Sequence, residues 1–473
     1  MREVVVVGAG PAGLRAAENA CQAGAFVTLV DSSDELGGQF WRHLPAARAA
    51  ADEHRLHHEW SVFQRLRASL DAHPHCRILT SADVWAIEPD VTAGAGLAVQ
   101  VIAGAADDSG RLRLTLLPDA LVLATGAHDR VLPFPGWDLP GVFSAGAAQA
   151  LAKGERVAVG SRVLVAGAGP FLLPVAASLT QVGATVVGVH EAARPKQLAR
   201  GWLQKSWQMV GFTGKLLELA EYAAGHVRHR IPYRTGSAVI AAHGTDAVEA
   251  VTVARLDEGW RPIAGTARRI AVDAVCIGHG FTPRLELPIA AGCAIGEDRY
   301  VTVDALQRTN VAEVYAAGEI TGIGGMPLSA AEGAVAGLAA AGVTPPKALL
   351  AQRDRQRHFA SRLAAAHAIR PGWRAWLTED TLVCRCEEVT YSALHAPAAG
   401  RSRGLRSRKL TTRAGLGICQ GRMCGRTVED LLGEDQPLLG AMTTDRRPIA
   451  IPIKLGDLAA ESTTDTAALE GTT

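Results

Sequence analysis

No run in the 473 residues approaches the roughly 18 consecutive apolar residues a membrane-spanning helix requires. Charge of one sign is missing too. Against 48 Lys and Arg stand 47 Asp and Glu, a formal net charge of +1, so bulk electrostatics gives no reason to bind nucleic acid. The opening MREVVVVGAG is too short and too glycine-rich for a secretory leader. The expected compartment is the cytoplasm, with membrane contact only peripheral and through a complex. Residues 1–345 hold no Cys-x-x-Cys or Cys-x4-Cys pair, which excludes a local dithiol centre there. The cysteines they do hold (Cys21, Cys76, Cys276 and Cys293) are scattered singly in apolar contexts and read as reduced core residues.

What is abundant is glycine, 50 residues, in a chain that is 48% hydrophobic. That points to an α/β enzyme with many tight turns, long enough for two to four domains. Val4–Val7 is a β-branched run leading into Gly8-Ala9-Gly10-Pro11-Ala12-Gly13. A helical pattern follows, then a second strand, Phe26–Val30, that ends on Asp31. This strand–glycine turn–helix–strand–acid order is the context in which G-x-G-x-x-G becomes informative. Gly8 permits the tight turn, Gly10 lets the backbone approach a pyrophosphate, and Gly13 lets helix and strand pack closely. The helix start offers N–H groups and the positive dipole end to phosphates. Asp31 lies 18 residues past Gly13, placed to meet a ribose.

A second motif, Gly167-Ala168-Gly169-Pro170-Phe171-Leu172, follows the strand Arg162–Val165. Its third glycine is replaced by Leu172, which would hold helix and strand apart and crowd a dinucleotide. Glu191 closes the next strand within reach of a ribose. Gly201 to Val227 reads as one long helix or two shorter ones, carrying Trp202, Trp207 and Met209. His128, Asp129 and Arg130 point different ways on an extended segment and read as structural, so no catalytic base is assigned.

The remaining cysteines cluster: Cys384-Arg385-Cys386, then 32 residues, then Cys419, four residues and Cys424. Four thiolates from two local pairs can surround a metal centre. Zinc takes the same ligand count but favours Cys-x2–4-Cys knuckles, whereas Cys-x-Cys is common where sulfurs divide between two irons. Arg385, Arg413, Arg422 and Arg426 would balance the negative charge of an iron–sulfur cluster. The basic run Arg401, Arg403, Arg406, Arg408, Lys409 and Arg413 has no interleaved aromatics and reads as a solvated or subunit-facing surface rather than a nucleic-acid site.

Ala124-Thr125-Gly126 and Tyr315-Ala316-Ala317-Gly318-Glu319 each close an apolar strand, and both resemble signatures of two-dinucleotide-binding flavoproteins of the disulfide-reductase-like class. Leu36-Gly37-Gly38-Gln39 and Val84-Trp85 match FAD-contacting stretches of that class. The resemblance implies FAD held by Gly8, Gly10, Pro11, Ala12, Gly13, Asp31, Gly38, Gln39, Val84, Thr125, Gly126, Gly318 and Glu319, with Glu319 where many members carry Asp. Residues 381–458 resemble a bacterioferritin-associated-ferredoxin-like (BFD-like) [2Fe-2S] domain, with Cys384, Cys386, Cys419 and Cys424 as the implied ligands. The four-residue second gap departs from that domain's usual Cys-x2-Cys.

From residue 1 to about 458 the order of motifs is similar to the α subunit of heteromeric dye-linked amino-acid dehydrogenases. That group takes in the opine oxidase A subunits, the hydrogen cyanide synthase B subunit, and the α subunits of proline and D-hydroxyproline dehydrogenases. The implied architecture is a discontinuous FAD domain (1–126 and 271–345), a second nucleotide-binding-like domain (127–270), a helical connector (346–380), a small helical [2Fe-2S] domain (381–458) and a disordered tail (459–473). The implied function is an electron-transfer subunit. Its partners would be an amino-acid-oxidase-like β subunit together with a small ferredoxin-like γ subunit, with an FMN at a subunit interface in some members. The competing expectation is a stand-alone NAD(P)H-dependent FAD/iron–sulfur reductase, and Leu172 weighs against it.

Overall fold

The computed structural model describes residues 1–50, 52–89, 96–105, 108, 110–203, 213–396, 405–433, 445–447, 449–460 and 462, with backbone alone for 203 and 213–220. Two units emerge: residues 1–127, 283–360 and 445–473, and residues 128–282 with 361–444.

In the first unit, β1 (Glu3–Val7) has four valines buried in succession, the pattern of a central strand covered on both faces. It pairs in parallel with β2 (Phe26–Val30), and β2 pairs with β3 (Cys76–Leu79). On its other side lie the strand Ala120–Leu123 and then Val314–Ala316, completing a five-stranded parallel sheet. The helix α1 (Pro11–Gln22) begins directly after the glycine turn; proline at its first position forfeits only an N–H that has no intrahelical partner. Helix Gly325–Ala340 lies against α1 so closely that a Cβ on Gly333 or Gly337 would fall 2.0 or 2.1 Å from the Ala12 or Ala16 carbonyl oxygen. A three-stranded antiparallel sheet (Ala82–Pro89, Leu97–Ala103, Leu112–Leu116) adds to this unit. Ile449, Ile451 and Ile453 cover its Trp85, Ala86 and Ile102.

The second unit repeats the plan. Its parallel sheet runs Tyr233–Thr235, Thr185–Glu191, Arg162–Gly167, Ala274–Gly278, Val142–Ser144, and an antiparallel three-stranded sheet accompanies it. The described parts of the expected helical stretch from Gly201 lie in the helices Pro195–Leu203 and Thr213–Arg228; residues 204–212, with Trp207 and Met209, lie outside the described residues. The connector holds the helix Lys347–Ala366 and a 3-10 turn, Pro371–Trp376. Beyond it, the cysteine region shares a hydrophobic core with this unit. Leu132, Ala168 and Trp260 pack with Trp373, Trp376, Val383, Cys384, Cys424, Val428 and Leu431. Trp376 Nε1 donates to the Trp260 carbonyl at 3.0 Å, and Trp137 Nε1 to that of Leu382 at 2.6 Å. Arg401 and Arg403 lie outside the described residues, as does all of the tail 459–473 except 459, 460 and 462.

Candidate flavin and cysteine sites

The first glycine turn is constrained by backbone, not side chains. Gly8 has φ +101°, and a Cβ there would stand 2.3 Å from the Ala124 carbonyl oxygen. A Cβ on Gly13 would fall 1.7 Å from the Gly8 carbonyl oxygen, so only glycine lets α1 seat against β1. Gly38, at φ +58°, faces Gly10 so closely that its Cβ would lie 2.8 Å from the Gly10 Cα. Two glycines facing each other leave bare backbone where a pyrophosphate needs to approach. Asp31 accepts from the Ala9 N–H at 2.5 Å and from the Ser33 N–H at 2.8 Å, so its carboxylate is held at the mouth of the turn while the residue stays half-buried.

The later signatures sit in the same unit. Thr125 Oγ1 donates to the Arg284 carbonyl at 3.0 Å, and Gly126, at φ +75°, faces open space. The Val84 side chain is buried in the core, and Gln39 is exposed. Gly318 turns at φ +83° with the Ala12 Cβ 2.9 Å from where its own Cβ would be, so the Ala-Ala-Gly turn rests on the start of α1. Glu319 is half-buried by surface area, yet protein atoms surround its carboxyl. That burial lifts its carboxyl to about 7, against the opposing pull of the Gly325 N–H. Depth governs here, because a carboxyl reached by little water loses most of its hydration.

Sequence reading misses the group that holds this turn. Glu332, fully buried, accepts from the Gly318 N–H at 3.0 Å and from Thr321 Oγ1 at 2.6 Å. Its other oxygen takes Arg357 Nε at 2.9 Å. Arg357 also donates to Gln307 Oε1 at 2.6 Å, and Gln307 Nε2 donates to the Ala316 carbonyl at 2.8 Å. The signal was available: Glu332 is the one charged residue in the helix Gly325–Ala340. A single acid among Ala, Gly and Val has no solvated face to belong to.

The second motif has diverged. Its helix starts at Leu172, not at Pro170, which corresponds to the Pro11 start of α1. Leu172 is itself buried, so the first turn has retreated from where phosphates would meet it. Glu191 is fully buried and spent: its oxygens take the Gly169 N–H at 2.9 Å and the Ala193 N–H at 2.8 Å. His367 Nδ1 stands 3.3 Å away, and the Tyr233 hydroxyl also bonds it. The segment carrying His367 is seated on the helix Pro195–Leu203. Gln197 Nε2 donates to the Ala368 carbonyl at 3.0 Å, and a Cβ on Gly201 would fall 2.4 Å from the Ala366 Cα. Asp129 is likewise spent inside this unit, on Ser144 Oγ and the Gly146 N–H, capping the helix Ala145–Gly154; Arg130 pairs with Asp430.

The clustered cysteines come together as two couples. Cys384 shares a hydrogen bond with Cys424, and Cys386 with Cys419. The Cys424 thiol brings Cys384 down to about 6, with backbone N–H groups of Gly415, Glu387 and Cys386 adding to the effect. Converging N–H donors are what a thiolate ligand needs to spread its charge. Gly417 is obligatory, since its Cβ would stand 2.4 Å from that of Cys386. Cys384 and Cys424 are buried, whereas Cys386 is exposed and Cys419 half-buried. Among the described residues no group of three or more His, Cys, Asp or Glu is set as a ready metal site. Four thiols from two loops, with N–H groups aimed at the Cys384 sulfur, are a donor set of the kind that thiolate-bound metal centres use. The pairing of scattered cysteines corrects one expectation: Cys21 and Cys76 are not solitary, because their thiols share a hydrogen bond.

Two nucleotide-binding-like units, the first with an intact phosphate turn, define an FAD-dependent oxidoreductase. The chain belongs to the pyridine nucleotide-disulphide oxidoreductase family, which it matches over residues 2–337. It is 31% identical to the HcnB subunit of hydrogen cyanide synthase from Pseudomonas protegens, over 89% of each chain. To the A subunit of opine oxidase from Rhizobium meliloti it is 30% identical, over 97% of this chain and 87% of that one. These relatives are subunits of heteromeric enzymes. In fold it is similar to the L-proline dehydrogenase structure from P. horikoshii, with a TM-score of 0.65, 20% identity, and coverage of 97% of this chain and 79% of that one. No described helix is long and apolar enough to cross a membrane.

Proposed function

We propose that this chain is the electron-transfer subunit of a heteromeric amino-acid dehydrogenase acting on an opine, a proline- or hydroxyproline-like substrate or glycine. It takes electrons from an amino-acid-oxidase-like flavoprotein partner and hands them to an acceptor such as a small ferredoxin-like subunit. The observation that carries this reading is the condition of the second nucleotide site. Asp31 and Glu191 are bonded by equivalent backbone N–H groups, but Asp31 stays half-buried whereas Glu191 is fully buried behind His367 and Tyr233; with Leu172 in place of the third glycine as well, this supports entry of electrons from a partner rather than from NAD(P)H.

The flavin is held by Gly8, Gly10, Pro11, Ala12, Gly13 and Asp31 on the pyrophosphate and ribose side. Gly38, Gln39, Val84, Thr125, Gly126, Gly318 and Glu319 complete the site. Cys384, Cys386, Cys419 and Cys424 hold a [2Fe-2S] cluster, and an FMN at a subunit interface belongs to the same reading. Flavin and cluster together supply a two-electron and a one-electron carrier; the protein's part is to orient them and exclude pyridine nucleotide. The domains that go with it are an FAD domain on 1–126 and 283–345, a second domain on 127–282 that takes in the strand Ala274–Gly278 expected in the FAD domain, a connector 346–380 and a cluster domain from 381 to 444.

Co-expression with an amino-acid-oxidase-like subunit tests the assignment. Substrate-dependent dye reduction is expected to require both chains, and the purified complex to contain flavin, iron and acid-labile sulfide. Full dye reduction by the partner alone would remove the relay role, and stoichiometric zinc without sulfide would remove the cluster.

A further inference from the structure

The described residues hold one thiol couple that the electron-transfer reading does not use. Cys21 lies in the last turn of α1 and is buried; Cys76 opens β3 and is half-buried. Fifty-five positions apart in sequence, they are brought together because α1 packs over the sheet whose edge strand is β3. Cys21 Sγ stands 3.8 Å from the carbonyl oxygen of His75, the residue that precedes Cys76, and the two thiols are hydrogen-bonded to each other. The couple sits at the end of α1 opposite the glycine turn, so it is no substitute for a dithiol beside the flavin.

We propose that Cys21 and Cys76 form a redox-convertible pair, oxidised to a disulfide by low-molecular-weight disulfides and reopened by thiols. The asymmetry of exposure gives each cysteine a role. Cys76, reachable from solvent, attacks a low-molecular-weight disulfide: its S–H proton leaves, a mixed disulfide forms at Cys76 Sγ, and one small thiol is released. Cys21 then attacks Cys76 Sγ, giving up its own proton and expelling the second small thiol. In sum the protein loses two hydrogens as two protons and two electrons, and one small disulfide is reduced to two thiols. The hydrogen bond that lowers Cys21 toward its thiolate holds the proton on Cys76, which burial raises further, so the first attack by Cys76 is the slow step and the closing attack by Cys21 the fast one. The bond would tie the end of α1 to the edge strand and shorten the free loop of the unfolded chain, so the oxidised form melts higher.

The test uses the purified full chain and oxidised glutathione as the probe, followed by alkylation and peptide mapping without reductant. The expected result is a Cys21–Cys76 linked peptide that dithiothreitol abolishes, and a melting temperature that rises on oxidation. In Cys21→Ser the probe is expected to stop at a glutathione adduct on Cys76 with no rise in melting temperature. Cys76→Ser should yield neither link nor adduct at Cys21. Recovery of wild-type Cys76 as a stable glutathione adduct with Cys21 free, or of both residues unmodified, overturns the proposal.

Discussion

At the residue scale, two buried carboxylates beside the Ala-Ala-Gly turn have opposite circumstances. Glu332 is satisfied on both oxygens; its removal takes the acceptor from the buried Gly318 N–H and the charge partner from Arg357, while Thr321 Oγ1 keeps the Gly318 carbonyl and Arg357 keeps Gln307. Because Arg357 keeps contact with solvent, Glu332→Ala is expected to cost about 2–3 kcal/mol, below the upper range for a broken buried pair. Urea unfolding checks this, and the same variant should retain less flavin. Glu319 is poorly compensated. An acid whose folded value is raised favours folding fully only below its unfolded value near 4.5, and that contribution is lost as pH climbs to about 7. Flavin-free protein should therefore lose stability through this window, by about 2 kcal/mol once residual solvent access is allowed for. Glu319→Gln should flatten that slope, which urea melts on either side of the window would reveal.

At the element scale, the first strand–turn–helix unit was legible because everything that defines it is local: four valines, three glycines and an acid within one stretch of chain. The seat of α1 leaves no room for a side chain at Gly13. Gly13→Ala is expected to displace the helix by overpacking, an effect of about 1–3 kcal/mol, and so to weaken flavin retention by roughly tenfold to a hundredfold. Equilibrium dialysis of flavin measures it directly; unchanged retention would mean the turn does not hold the pyrophosphate. The second unit was legible only in outline. Leu172 announced a damaged motif, but the retreat of its helix start and the covering of Glu191 by His367 depend on residues 176 positions apart, and no local pattern carries that. The same distance problem hid the Cys21–Cys76 couple. Glu332 differs, since its isolation in an apolar helix was readable in principle.

For the whole molecule, the two units share one plan but are put to different uses. The first keeps the bare-backbone cradle that a dinucleotide requires. The second keeps its sheet but not that cradle. Its ribose acid is buried, and the segment leading to the cysteine region lies along the helix after it. A unit so altered serves as a platform for the cysteine region, with which it shares a core of tryptophans and aliphatic side chains. On the proposed reading, one unit serves the flavin and the other carries the thiols.

Anaerobic rapid mixing of the flavin-loaded chain, without any partner, with NADH or NADPH tests that division most directly. The flavin absorbance is expected to stay oxidised, and to bleach only when an amino-acid-oxidase-like partner and its substrate are supplied. Fast bleaching by NADH or NADPH alone would contradict the account and make the chain a self-sufficient reductase.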